Sequence, residues 1–155
     1  MAITQAMTNS FKVDALSGGM NFNTTNRALT ANTQDVFKIA LYSASSASLD
    51  ATTSAYTTTG EITGTGYTAG GNTLSISQIP TSSGTPSTTA YINFANTSWG
   101  STASFSADGA LIYNSSNSNK SVCVLNFGGT KTVTSGTFTI QFPTAGTGSS
   151  IIQIA

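Results

Sequence analysis

Apolar and polar side chains alternate one by one along Val36–Ser43 (VFKIALYS), which places Phe37, Ile39 and Leu41 on one face. A period of two is typical of a strand that is buried on one face and solvated on the other. No glycine or proline interrupts this run, and shorter runs of the same kind recur between turn signals. This repetition constrains the fold more than any other feature, because long helices would need a period near 3.6 residues.

The other alternating runs complete the predicted set of strands, which lie at 73–79, 89–95, 103–107, 110–114, 121–127, 137–142 and 151–155. Asp108-Gly109 separates two of these runs and is a dipeptide typical of hairpin turns. Short strands joined at short spacing indicate antiparallel architectures. We therefore predict an all-β protein, an antiparallel β-sandwich or jelly roll of about eight strands with at most one or two short helical turns.

The first part of the chain differs from the rest. Residues 1–34 lack sustained periodicity and predict an N-terminal arm or loop region that is ordered by contact with a neighbouring molecule, ahead of a β-sandwich domain over 35–155. A short helix is predicted over 10–17, with Ser10 as its N-cap and Gly18 ending it in the left-handed conformation. A strand is the alternative, since FKVDAL also alternates.

Charge excludes several functions. The chain has five basic and five acidic residues, its net charge is zero, and charged residues make up 6% of it. Nucleic-acid binding and polybasic membrane attachment both need clustered Lys and Arg, which this sequence does not contain. The sequence contains neither a membrane-spanning apolar run nor the apolar core of a secretory signal. The single cysteine, Cys123, lies in an alternating strand pattern, which predicts a buried, inert thiol. These features predict synthesis in a cytoplasm.

No combination of residues predicts catalysis, a cofactor or a metal. The chain contains no histidine. Gly64-x-Gly66-x-x-Ala69 fits the dinucleotide fingerprint by letters only, because strand spacing follows it where that motif needs a helix. The turn Asn114–Lys120 offers amide and hydroxyl oxygens for calcium but lacks the acidic residues that such sites use, so a solvated turn is predicted. Asp14, Asp35, Asp50, Glu61 and Asp108 are the carboxylates, and nothing in the sequence pairs them for glycosidase chemistry.

The glycine-rich segment Thr57–Leu74 contains Glu61, the only glutamate of the chain. We predict a structural loop here, not a ligand cradle, whose backbone groups pair with the sheet or with a neighbouring subunit. Because no histidine, lysine or arginine is near Glu61 in sequence, Glu61→Gln is expected to change stability by less than about 1 kcal/mol, as at an ordinary surface position. Valine at Gly66 or Gly70 is expected to do more damage if either glycine has a positive φ.

Several segments together resemble small virion structural proteins of tailed bacteriophages. They are SFKVDALSGGMNF, VFKIALYS, LDATTSAYTTTGEITGTGYTAGGNTL, DGALIYNSSNSNKSVCVLNFGGTKTVTSGTFTIQFP and the final IIQIA. The segments around GTGYTAGG and GALIYN are the most specific, whereas 23–34 and 79–88 have no counterpart. The resemblance implies a virion protein made in a bacterial cytoplasm, without catalytic residues. It implies either a capsid decoration (cement) protein or a tail, spike or adaptor component.

The expected partners follow from the resemblance to decoration proteins. They are further copies of the chain, with a homotrimer as the expected form, and the major capsid protein. The terminal residues Ile151, Ile152 and Ile154 are able to pair with a neighbour's sheet as readily as with their own. The alternative from another class is a carbohydrate-binding β-sandwich, whose stacking platforms would be exposed members of the set Tyr42, Tyr67, Tyr91, Trp99 and Tyr113.

Overall fold

The computed structural model describes residues 1–23, 33–82 and 88–155. Two antiparallel sheets form an all-β sandwich, as predicted, with strand orders β1-β7-β6-β2-β3 and β4-β5-β8. The elements are β1 (Ala6–Met7), α1 (Asn9–Ser17), β2 (Phe37–Tyr42), β3 (Asn72–Leu74), β4 (Ile76–Ser82), β5 (Ala90–Phe94), β6 (Thr97–Asn114), β7 (Lys120–Ile140) and β8 (Ile152–Ile154).

The predicted helix is confirmed, with α1 one residue longer at its start. Its N-cap is Thr8 instead of Ser10, and the Thr8 side chain accepts a hydrogen bond from the Phe11 backbone N–H. Gly18 ends the helix in the left-handed conformation at φ 76°, as expected.

The described part of the N-terminal region packs on the sheets. Ile3 and Phe11 are buried, β1 pairs with β7, and the Lys120 ammonium lies 2.7 Å from the Asp14 carboxylate. Residues 1–23 therefore contact the β-sandwich directly and do not form a separate arm. The predicted domain boundary after residue 34 stays a prediction, and residues 24–32 of that region lie outside the described residues.

Strand β2 is buried on both faces, so the prediction of a half-solvated strand was wrong. Phe37 and Leu41 belong to the main core between the sheets, whereas Ala40 and Tyr42 belong to a second apolar cluster on the opposite face. Distant residues build that second cluster: Ile3, Ala47, Leu49, Leu111, Tyr113 and Val124. The alternating pattern correctly predicted which side chains lie on each face of β2. It did not predict that residues 43–60 pack over the face that carries Ala40 and Tyr42.

The predicted hairpin turn at Asp108-Gly109 does not exist. Both residues lie inside β6, and the runs 121–127 and 137–140 likewise belong to the single strand β7, which ends two residues before the predicted end at 142. Asp108 accepts hydrogen bonds from the Ala44 backbone N–H at 2.8 Å and from the Thr130 hydroxyl. Its carboxylate therefore links β6 to the loop after β2 and to β7. A Cβ on Gly109 would overlap the Leu125 carbonyl oxygen, so this position needs glycine because of close packing.

The β6–β7 ribbon bends strongly. The Phe127 and Phe138 rings are 6.4 Å apart, although a straight strand would separate their α-carbons by roughly 36 Å. Register irregularities interrupt the pairing between Trp99 and Phe105 and again at Ala107/Gly109, and such bulges allow a strand to turn a corner. The bent ribbon brings Trp99 into the main core, where the side chain is buried.

The predicted strand 73–79 also differs from the structure. It is two strands in two sheets, because the chain leaves the larger sheet after Leu74 and enters the smaller one at Ile76. At the junction, the Ser75 carbonyl accepts a hydrogen bond from the Ala95 backbone N–H. Alternation continues through this corner, so the sequence alone does not reveal the change of sheet.

Candidate functional site: the Glu61 tyrosine cluster

The segment Thr57–Leu74 runs along the larger sheet and is tied to it by backbone hydrogen bonds. The Ile62 N–H donates to the Leu41 carbonyl at 3.0 Å, and the Ser104 N–H donates to the Thr65 carbonyl at 3.0 Å. The segment ends as β3, which pairs with β2. The prediction that this glycine-rich backbone pairs with the sheet is confirmed.

Glu61 lies at the centre of this segment and accepts three short hydrogen bonds. The Tyr56 hydroxyl donates to Oε2 at 2.6 Å, the Tyr67 hydroxyl donates to Oε1 at 2.6 Å, and the Gly70 backbone N–H donates to Oε1 at 2.7 Å. Hydrogen bonds to an ionised carboxylate are shorter and stronger than neutral ones. The carboxylate therefore fixes both ends of the loop around itself.

Two further tyrosines complete what we call the Glu61 cluster: Glu61, Tyr42, Tyr56, Tyr67 and Tyr113. The Tyr42 hydroxyl donates to the Thr57 carbonyl at 2.6 Å, and the Tyr113 hydroxyl donates to the Gly70 carbonyl at 2.8 Å. The Tyr56 and Tyr113 rings stack at 4.8 Å. Side chains from β2 and β6 thus hold the loop at its start and near its end.

Burial and the Glu61 carboxylate keep these phenols protonated. Burial first, and then the hydrogen bond to Glu61, raise the pKa of both Tyr56 and Tyr67 far above the ordinary tyrosine value. Burial and the negative charge of Glu61 raise the pKa of Tyr42 and of Tyr113 in the same direction. Protonated phenols are hydrogen-bond donors, so this arrangement holds the loop around the Glu61 carboxylate.

The sequence-based view of Glu61 as an ordinary surface residue was wrong. Tyr56, just before the segment, and Tyr67, within it, bracket the only glutamate in sequence, and this spacing was a signal for the cluster. A carboxylate needs no cationic neighbour, because phenolic and backbone donors also stabilise it. Tyr42 and Tyr113 lie far away in the chain and become neighbours only in the folded structure.

The aspartates have separate local partners. Asp14 pairs with Lys120, and Asp35 accepts from the Asn21 backbone N–H and from the Asn114 amide. Asp50 accepts a hydrogen bond from the Thr52 backbone N–H at 2.7 Å and so stabilises a short turn. Among residues 1–23, 33–82 and 88–155, no three or more His, Cys, Asp or Glu side chains form a group that could hold a metal ion.

The remaining motifs have structural explanations. Strand β3, not a helix, follows the Gly64–Ala69 motif, so the context of a dinucleotide site is missing. The turn after Asn114 forms as predicted, and the Asn114 side-chain oxygen accepts from the Ser116 and Asn117 N–H groups. Burial raises the pKa of the Cys123 thiol to about 12, which fits the predicted inert thiol.

The proposed stacking platforms for carbohydrate are mostly inside the protein. Tyr42 is 0% exposed, and Trp99 and Tyr113 are 3% exposed. Tyr67 is half-buried, and its hydroxyl donates a hydrogen bond to Glu61. Of the five proposed platforms, Tyr91 is therefore the one that is neither fully buried nor part of the Glu61 cluster. A sugar-binding platform needs exposed rings on one face, so these positions weigh against that alternative.

Comparisons of the chain with protein-family models, with curated proteins and with solved structures found no match. Within the described part of the chain, the nine-residue α1 falls short of the length and apolar character that a membrane-spanning helix needs.

Proposed function

We propose that this chain is a non-enzymatic structural protein of a bacteriophage virion, and specifically a capsid decoration protein that binds and stabilises the head. Its partners under this proposal are further copies of itself, in a homotrimer, and the major capsid protein. The proposal starts from the resemblance of GTGYTAGG, GALIYN and the other quoted segments to virion proteins. The all-β sandwich is compatible with this role and with the alternative of a tail, spike or adaptor component.

One structural observation supports a role in assembly. Large exposed apolar side chains are few in the described residues, and three of them, Val13, Leu16 and Ile154, lie on α1 and β8. Leu16 is 91% exposed, and both Leu16 and Ile154 line the same cavity. Exposed apolar side chains gathered in one region of a hydroxyl-rich protein mark a contact surface. The charged residues described above are instead used in internal contacts, as for Glu61, Asp14 and Asp108.

Electron microscopy of intact particles tests the location directly. We expect density that fits this sandwich on the outer surface of the head, and light scattering of the purified protein should give the mass of a trimer. Density at the tail or fibre would replace decoration by the alternative virion role. A protein that stays monomeric at high concentration and does not bind capsids would refute the assembly role.

A further inference from the structure

We draw no further inference here: the strongest candidate, the apolar cavity between α1 and β8 that is lined by Phe11, Ala15, Leu16 and Ile154 among others, carries none because nothing in the described residues shows what covers it.

Discussion

Replacing Glu61 with glutamine removes the negative charge that the Tyr56 and Tyr67 hydroxyls and the Gly70 N–H surround. Glutamine keeps one oxygen for Tyr67 and Gly70, and the Tyr56 hydroxyl is able to rotate and accept from the new amide. The geometry is thus nearly preserved, and what disappears is the charge assistance in three hydrogen bonds. Sequence reasoning alone predicted almost no effect, whereas the structure predicts a measurable loss of stability.

The expected size follows from the difference between charged and neutral hydrogen bonds. A bond to a charged group contributes about 1.5–3 kcal/mol, against about 1 kcal/mol for a neutral one. Over three bonds, and after subtracting the desolvation that the carboxylate no longer suffers, Glu61→Gln should lower the free energy of unfolding by about 2 kcal/mol. For a chain of this size, that corresponds to a decrease in Tm of about 4–8 °C.

Chemical denaturation and thermal melts at neutral pH measure this change. Glu61→Ala should cost more, about 3–4 kcal/mol, because it leaves the Gly70 N–H and the Tyr67 hydroxyl without an acceptor. Tyr67→Phe should cost about 1 kcal/mol, and the double variant Glu61→Gln/Tyr67→Phe should lose less than the sum of the single changes. A Glu61→Gln protein with the wild-type midpoint, or strict additivity in the double variant, would refute this account of the cluster.

Three further predictions concern other parts of the fold. Gly66 and Gly70 both have positive φ, at 79° and 86°, so valine at either position is expected to strain the backbone. Gly70→Val should lower the free energy of unfolding by about 2 kcal/mol or more. Gly100→Val is the control, because a side chain there meets open space and should change the melting temperature little. Phe11→Ala should destabilise by about 3–5 kcal/mol in denaturant melts, because the ring is buried in the main core; a loss as small as that of Leu16→Ala would show that α1 does not contribute to the core. Raised pKa values in the Glu61 cluster imply that the unfolded chain loses its phenolic protons from about pH 10 upward, while the folded chain retains them. The free energy of unfolding should therefore be constant below that pH and decrease above it. We expect the ultraviolet absorbance of the ionised Glu61-cluster tyrosines to appear together with the loss of the circular dichroism signal. Ionisation of Tyr56 and Tyr67 in a protein that stays folded would contradict this.

The sequence by itself determined the local structure. Alternation in VFKIALYS and in the terminal IIQIA predicted strands that the structure contains, and Gly18 predicted the end of α1. Composition likewise determined that no histidine side chain is available to the fold and that the charged residues are few. These properties depend on the side-chain pattern within a few residues, so no knowledge of distant contacts was needed.

Tertiary structure decided the features that depend on distant segments. Asp108-Gly109 is a turn signal by its letters, yet it continues β6 because Ala44 and Thr130 satisfy the carboxylate and β7 packs closely on Gly109. Strand β2 lost its predicted solvated face because Ile3 and Leu49 cover it. Glu61 became the centre of a cluster because Tyr42 and Tyr113 approach the loop from separate strands. Burial and hydrogen-bond partners are properties of the packed chain, and an alternating sequence specifies which faces exist but not what covers them.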